Sequence, residues 1–178
     1  MFSRQQGLTL LELLVALVII SLLASVGIPN FSQWNCARSQ RYEFDQFAGL
    51  LYALRGEALS SGRSFQVSVT QNTTTLEVRM SDDPVLCNSD QNWTDLDDSM
   101  NIVLPELSKL NFHNDSVTCF FPNDFDGYAS SSSIEFSRDA CGGNAADLFS
   151  SYKLQVLSAT GLLRRFKRQS DNADWLSL

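Results

Sequence analysis

The feature that most constrains this chain is an apolar run near its start, which covers 21 residues from Leu8 to Ile28. As a helix, a run of this length spans about 31 Å, close to the hydrocarbon thickness of a bilayer. Its single charged residue is Glu12. A charge at the centre of a membrane span costs about 2.5–3.5 kcal/mol, and one near the end costs less because it reaches the headgroup region. The run therefore predicts a membrane-spanning helix and leaves Glu12 to be explained.

Two ordinary kinds of N-terminal segment fit this run poorly. A secretory signal has a basic start, a shorter apolar core and small residues before its cleavage site. Here the basic part is Arg4 alone, and no clean small-residue site precedes a polar start, with Ala24–Val26 as the nearest approximation. A plain single-span anchor fits the length but gives Glu12 no purpose.

The rest of the chain has the composition of a soluble domain. About 150 residues follow the apolar run, enough to bury a core of their own. The formal net charge of −7 argues against a general nucleic-acid coat. The charges are also clustered. Six acids and no Lys or Arg lie between Asp82 and Asp98, and four basic residues lie near the C-terminus: Arg164, Arg165, Lys167 and Arg168.

The segment QQG followed by LTLLELLVALVIISLLASVGIPNF resembles the class III signal of type IV pilins and type II secretion pseudopilins. In that family a prepilin peptidase cuts after the glycine and methylates the new N-terminus. The fifth mature residue is glutamate, and a proline lies near mature position 22. The resemblance implies cleavage between Gly7 and Leu8 and N-methylation of Leu8, with Glu12 fifth and Pro29 twenty-second in the mature chain. Leu8 departs from the family, in which phenylalanine or methionine is usual.

The resemblance also gives Glu12 a partner. A carboxylate in apolar surroundings is stabilised by a cation, and the mature α-amino group of a neighbouring subunit, at Leu8, would supply it. Glu12 would then set the registry between stacked helices, as a buried polar residue sets register in a coiled coil. The alternative is an acid merely tolerated at the membrane interface. Gly27 and Pro29 predict a helix break where the chain leaves the membrane.

Beyond Pro29 the apolar residues predict that the helix continues. Its buried face has the spacing i, i+3, i+7, i+10 and i+14, and Gly62 is the predicted C-terminal stop. We expect this second half of the helix to lie on a sheet. The residues of the predicted face are Phe44, Phe47, Leu51, Leu54 and Ala58.

Strands are predicted after the helix from alternating apolar residues. The fold class is therefore α+β: a long N-terminal helix, membrane-spanning in its first half, packed on antiparallel β-sheets as in type IV pilins. The tail, residues 169–178, is expected to be mobile or lightly docked. The predicted strands are SFQVSV and TLEVRM joined by a turn at 71–74, then NIVLPEL, SVTCFF and SIEFSRD, and finally a hairpin from 152 to 166 that turns at 158–161.

These predictions divide the chain into four parts. They are a leader peptide at 1–7, a transmembrane and assembly helix at 8–29, an amphipathic half-helix at 30–62 and a β-rich globular domain at 63–178. The expected location is the bacterial inner membrane, crossed once, with the C-terminal domain in the periplasm. After assembly the chain would lie in a pilus or pseudopilus.

An even number of cysteines in an exported chain favours disulfides in an oxidising compartment. Four cysteines allow three pairings, and the sequence does not choose among them. We favour Cys119 with Cys141, because both lie in the loop-rich C-terminal half, which leaves Cys36 with Cys87.

No catalytic, metal or cofactor site is predicted. The chain has one histidine, His113, no paired-cysteine metal motif and no glycine-rich phosphate loop. Asp124 and Asp126 resemble part of a calcium loop, but their spacing completes no such pattern. We therefore expect that the protein is not an enzyme.

A second, finer resemblance concerns the soluble part. FAGLLYALRGEALSSGRSFQVSV and SATGLLRRFK are similar to the helix-to-strand segment and the closing strand of the GspH/FimT/FimU group of minor pilins. This resemblance implies a minor pilin or pseudopilin that helps to prime or cap a type IV pilus or a type II secretion pseudopilus. Its implied partners are other minor and major pilins or pseudopilins, the prepilin peptidase and the inner-membrane assembly platform.

DNA binding during natural transformation is the alternative function, because some FimT-type proteins bind DNA through a basic C-terminal segment. The basic cluster would contact phosphates, and an aromatic residue within it would stack on an exposed base. The other interpretation is that these charges only solvate an edge strand and keep it from pairing with other chains. The candidate DNA-binding residues are Arg164, Arg165, Phe166, Lys167 and Arg168.

Overall fold

A computed structural model describes residues 9–82, 87, 93–96, 102–108, 110–122, 129–130, 132–137, 151–169 and 173–178, without the side chains of 26–30, 32 and 33. Within these residues the chain is α+β with antiparallel sheets, as predicted, and is compatible with a pilin-like fold. The elements are α1 (Leu10–Ser61), β1 (Ser64–Val69), β2 (Leu76–Ser81), β3 (Thr94–Asp95), β4 (Asn111–Phe112), β5 (Ser116–Phe120), β6 (Ser132–Ser137), β7 (Ser151–Val156), β8 (Leu163–Arg168) and β9 (Leu176–Ser177).

The chain divides into two compact units, Met1–Cys36 and Ala37–Leu178, and α1 contributes residues to both. The backbone of α1 is helical through Gly27 and Pro29, so the predicted break is not seen. A proline removes one helix hydrogen bond and can bend a helix without ending it. The predicted stop is confirmed, because Gly62 follows the last helical residue with a φ of 76°, the left-handed conformation typical of a helix C′ position.

The first sheet has the strand order β3-β2-β1-β5. The predicted hairpin of β1 and β2 is confirmed, in a register that places Phe65 opposite Met80 and Val69 opposite Leu76. Its turn contains Asn72 at a φ of 58°, a conformation that asparagine tolerates better than most residues. The predicted strand SVTCFF is also present, as β5 on the other side of β1.

The second sheet has the order β4-β6-β7-β8-β9. The predicted hairpin of β7 and β8 turns through Gly161, which has a φ of 62° and donates its N–H to the Leu157 carbonyl at 2.7 Å. The tail adds β9, which pairs Leu176 with Lys167 and Ser177 with Phe166. A two-residue strand has no alternation to detect, so the sequence did not indicate it.

The helix packs on the second sheet within the unit Ala37–Leu178. Phe44 contacts Phe136 and Tyr152, with ring centroids 5.5 and 4.7 Å away, and Phe47 contacts Phe112 and Phe136 at 5.6 and 5.4 Å. Burial raises the pKa of Tyr152 above its ordinary value, so the phenol stays neutral in the core. The predicted helix face is confirmed, since all five members are fully buried: Phe44, Phe47, Leu51, Leu54 and Ala58.

The strand predicted at NIVLPEL is wrong. Residues 102–108 form no strand, and Val103 is 86% exposed. Pro105 lacks the N–H that a sheet ladder requires. Instead, the buried carboxylate of Glu43 on α1 holds the end of this loop. Its Oε2 accepts the backbone N–H groups of Ser108 and Leu110 at 3.1 and 3.0 Å, and its Oε1 accepts the Ser108 hydroxyl at 2.9 Å.

Glu43→Ala is expected to lower the free energy of unfolding by about 2–3 kcal/mol, because it leaves two N–H groups without their charged acceptor. Glu43→Gln keeps one acceptor oxygen and should cost less. The measurement is denaturant unfolding of the full chain in detergent. Glu106→Ala, an exposed acid of the same loop, is the matched control and should change stability by less than about 0.5 kcal/mol. Equal effects of the two alanine variants would contradict this role.

The structure corrects the disulfide prediction. Cys87 is bonded to Cys119 across a separation of 32 residues, so both favoured pairings are wrong. The physical reason is the sheet. Cys119 on β5 lies opposite Gln66 of β1, whose side-chain amide donates to the Cys87 carbonyl at 2.7 Å and holds it beside β5. Cys36 is also disulfide-bonded, and Cys141 lies outside the described residues.

Removal of this bridge by Cys87→Ser with Cys119→Ser is expected to lower the free energy of unfolding by about 2–4 kcal/mol, because the bridge restricts the unfolded chain. The double variant is preferred to a reductant, since reduction would also open the bridge of Cys36. Thermal or urea unfolding under non-reducing conditions measures the loss. A change below about 0.5 kcal/mol would show that the bridge does not stabilise the fold.

Candidate functional site

The first described turn of α1 is closed by a reciprocal pair. The backbone N–H and the hydroxyl of Thr9 donate to Glu12 Oε2 at 2.9 and 3.1 Å, and the Glu12 N–H donates to Thr9 Oγ1 at 3.2 Å. This is a capping box, in which the side chains at N-cap and N3 satisfy each other's backbone donors. The capping-box pattern is visible in the sequence as Thr9-x-x-Glu12, whereas the charge of Glu12 alone does not indicate a helix start.

The capping box uses one oxygen of the carboxylate. Both bonds accepted by Glu12 fall on Oε2, and within the described residues Oε1 has no hydrogen-bond partner. A carboxylate can accept further donors on its second oxygen. Glu12 can therefore hold the helix start and receive a cation at the same time.

Residues 10–23, on both sides of Glu12, form a helix segment whose apolar side chains the described chain leaves exposed. The large apolar side chains here are between 47% and 83% exposed. They occupy nearly consecutive positions, so they lie on every side of the helix and do not form a single stripe. A helix that is apolar all round requires apolar surroundings on all sides. The exposed residues are Leu10, Leu11, Leu13, Leu14, Val15, Leu17, Val18, Ile19, Ile20, Leu22 and Leu23.

The hydroxyl groups of the two serines in this part of α1 are hydrogen-bonded within the helix. The Ser21 hydroxyl donates to the Val18 carbonyl and the Ser25 hydroxyl donates to the Leu22 carbonyl, both at 2.8 Å. Serine bonded to its own helix in this way hides its polar group. The hydrogen-bonding capacity of the segment is thus directed inward, apart from the free oxygen of Glu12.

The other predictions for the N-terminal segment concern the membrane span, the processing site and Pro29. Across the described residues, no helix combines the length and the apolar character needed to cross a membrane, so the predicted span at 8–29 is not confirmed. Gly7 and Leu8, the predicted cleavage and methylation sites, lie outside the described residues. The side chain of Pro29 is likewise not described.

The basic cluster lies on β8, and the strand divides it between two faces. Leu163, Arg165 and Lys167 oppose the buried residues of β7, so they lie on the face that the helix covers. Arg164, Phe166 and Arg168 alternate with them and lie on the outer face. Because side chains alternate along a strand, the five residues predicted as one DNA-binding set do not form one surface.

On the helix-covered face the cation of Arg165 is already engaged. Its guanidinium is 3.1 Å from the Asp45 carboxylate, and Arg41 is 4.0 Å from the same carboxylate. Lys167 is half-buried on this face. The acid of α1 therefore neutralises part of the positive charge that the sequence predicted for this strand.

The outer face carries an aromatic centre that the sequence interpretation missed. Lys153 Nζ and the Arg168 guanidinium carbon stand 5.2 and 4.6 Å from the centre of the Trp175 ring. Lys153 also pairs with Glu135 at 3.4 Å. Trp175 precedes β9, so its placement depends on a strand too short to predict. Arg164 is exposed on this face and has no ion pair within the described chain.

A groove of about 410 Å³ lies at the open edge of β8. The Tyr52 hydroxyl donates to the Leu163 carbonyl at 3.3 Å, and the Leu178 N–H donates to the Arg165 carbonyl at 2.9 Å. The residues that line the groove are Tyr52, Leu163, Arg164, Arg165, Phe166, Ser177 and Leu178.

Among the residues that the structure describes, no group of His, Cys, Asp and Glu is placed to hold a metal ion. Asp124 and Asp126 fall outside that part of the chain. His113 donates its backbone N–H to the Glu135 carbonyl at 2.7 Å, next to the second sheet.

Comparison with known proteins identifies the N-terminal segment. The family model of the prokaryotic N-terminal methylation motif matches residues 2–28. The chain therefore carries a type IV pilin-like prepilin signal, which includes Gly7, Leu8 and Glu12. The match ends at residue 28, before the second unit. No curated protein and no solved structure matches the chain.

Proposed function

We propose that this protein is a minor pilin or minor pseudopilin that is processed by prepilin peptidase and helps to prime or cap a type IV pilus or a type II secretion pseudopilus. The observation that carries the proposal is the bare apolar segment of α1, inside the methylation motif, with Glu12 as its one acid. In this role the protein is a structural subunit and performs no catalysis of its own.

Processing would create the cation that Glu12 needs. Cleavage after Gly7 would leave an α-amino group on Leu8, and one added methyl group would leave that nitrogen basic, so it would still bind a proton. Glu12 Oε1 is available to accept it, while Oε2 stays with Thr9. A neighbour's Leu8 reaches this oxygen only at one axial offset, so the pair would couple energy to registry.

The proposed surroundings of the apolar segment change during assembly. Before assembly it would lie in the inner membrane, and afterwards among the helices of neighbouring pilins. The inward bonding of Ser21 and Ser25 supports both states, because neither leaves a hydroxyl without a partner in an apolar medium. The Cys87–Cys119 bridge supports a periplasmic location for the second unit, since such bridges persist in oxidising compartments.

The proposal is tested by following the full chain in cells that carry a pilus or pseudopilus system. We expect it in sheared fibre preparations and in complexes with other pilins, and we expect both to require an active prepilin peptidase. The matched control is a peptidase-deficient strain, in which the chain should stay in the membrane fraction. Equal recovery with fibres from both strains would contradict the proposal.

DNA binding is the second candidate, because exposed Arg164 and half-buried Phe166 share the outer face with Trp175. The division of the basic residues between two faces limits the number of phosphate contacts that one face can make. With Arg164 and Arg168, the two cations of the outer face, as the contacts, the log–log salt slope on duplex DNA would be about −1.8, half the value for four contacts. A gel shift of the full chain at two salt concentrations, with Arg164→Gln as the variant, tests it. Failure to bind at low salt would exclude DNA binding.

A further inference from the structure

We propose that the open edge of β8, between Leu163 and Arg165, binds an extended acidic segment of a partner protein by strand addition. The site lies wholly in the unit Ala37–Leu178. The inference therefore does not depend on the proposed role of the N-terminal segment, and it concerns the surface with which the domain contacts another protein.

The two edges of β8 are occupied to different extents. On one edge β7 pairs with all six residues of β8, from Leu163 to Arg168. On the other edge β9 pairs only with Phe166 and Lys167. Among the described strands, none pairs with Leu163 or Arg164 on this second edge. A strand edge that is left open in this way is a template for another extended chain.

The carbonyl groups along this edge have the periodicity that an added strand requires. The Arg165 carbonyl points to this edge and accepts the Leu178 N–H at 2.9 Å. The Leu163 carbonyl, two residues away, points to the same edge and accepts the Tyr52 hydroxyl at 3.3 Å. A side-chain hydroxyl thus occupies a position where a backbone N–H of an incoming strand would donate. Its long bond to Leu163 is readily exchanged for a backbone bond.

The groove beside this edge has room for such a segment. Its volume of about 410 Å³ lies within the usual range of ligand sites, about 300–1,000 Å³. Tyr52 and Leu178 are among the residues that line it. The groove therefore accepts a short extended segment in line with β9, and not a whole second sheet.

The charge of the groove favours an acidic partner. Arg164 and Arg165 project to opposite faces of β8, so they flank the groove on both sides. Asp45 neutralises Arg165 in part, whereas Arg164 is exposed. Opposite charges across paired strands stabilise a sheet. In an added strand, acids at alternate positions share one face, so they complement Arg164, which has no ion pair within the described residues.

The test uses the full chain in detergent and a dye-labelled nonapeptide in which Asp alternates with Thr. Fluorescence anisotropy measures binding, and hydrogen exchange measures protection of the backbone amides of β8. Two control peptides separate the contribution of charge from that of backbone hydrogen bonds. One replaces every Asp with Lys, and the other places Pro at alternate positions, which keeps the charge but removes ladder donors. A single-stranded oligonucleotide is tested under the same conditions.

We expect the acidic peptide to bind and to slow exchange in the segment that contains Leu163–Arg165. Arg164→Gln should weaken binding about two- to fivefold, and Arg79→Gln should leave it unchanged, because Arg79 lies on the first sheet, half-buried and paired with Glu77. The lysine peptide and the proline peptide should both bind at least about tenfold more weakly. Absence of protection, equal binding of the proline peptide, or displacement of the acidic peptide by the oligonucleotide would each overturn the inference.

Discussion

Glu12→Ala is expected to reduce incorporation of the chain into fibres by more than about 100-fold. Breaking a buried ion pair by removing one partner costs about 3–5 kcal/mol, and each 1.4 kcal/mol is a factor of about ten in an equilibrium. The cost falls on assembly, because the neighbour's α-amino group would be left among apolar side chains. Quantitative immunoblotting of sheared fibres against the membrane fraction measures the loss.

The capping box makes this experiment more specific than a single substitution. Glu12→Gln keeps an oxygen for the donors of Thr9 but removes the charge, whereas Thr9→Val removes the hydroxyl but keeps the charge. Loss of an N-cap costs about 1 kcal/mol, so Thr9→Val should lower incorporation no more than several-fold. If the charge matters for assembly, Glu12→Gln should behave like Glu12→Ala. Normal incorporation of Glu12→Gln would show that Glu12 serves only to cap the helix.

Phe47→Ala is expected to destabilise the unit Ala37–Leu178 by about 3–5 kcal/mol, enough to unfold many domains of this size. Phe47 is fully buried and contacts Phe112 on β4 and Phe136 on β6, so its loss opens a cavity between α1 and the second sheet. Urea unfolding of the full chain in detergent measures the change, with near-ultraviolet circular dichroism as the signal.

Tyr42→Ala is the matched control for Phe47→Ala. Tyr42 is an aromatic residue of the same helix, but it is 63% exposed, and its hydroxyl accepts a hydrogen bond from the exposed Gln46 amide at 2.9 Å. Its removal should cost less than about 0.5 kcal/mol. A loss from Phe47→Ala no greater than that from Tyr42→Ala would contradict the packing of α1 on the sheet.

The elements with a clear period were predictable from the sequence. The helix face from Phe44 to Ala58 repeats over four turns, and the hairpin strands β1, β2 and β7 alternate apolar and polar residues over about six positions. The backbone stops were equally clear, because Gly62 and Gly161 occupy left-handed conformations that few other residues adopt. These features depend on residues that are close together in the sequence, so the sequence alone indicates them.

The long-range features were not predictable. The pairing of Cys87 with Cys119 depends on β5 lying beside β1, which no spacing of cysteines indicates. The apolar segment around Val103 has strand-like composition, but it lies exposed at the surface and Glu43 holds its end. The tail strand β9 is too short to carry a pattern.

The basic cluster was predictable only in part. Its residues were found from composition, but the alternation of a strand already predicted at this place implied that they would be split between two faces. The consequence is chemical, because Arg165 pairs with Asp45 on one face and Arg168 stands over Trp175 on the other. A charge count therefore overstated the surface available to a nucleic acid.

The central claim, that the chain is processed as a prepilin, is tested most directly by mass spectrometry of its N-terminal peptide. The protein is purified from cells with an active prepilin peptidase and from matched cells without it. The account predicts a mature chain that begins at Leu8 and carries one added methyl group on its α-amino nitrogen, with residues 1–7 retained only in the peptidase-deficient cells. A chain that keeps residues 1–7 in both strains, or that begins near Ala24–Val26, would contradict it.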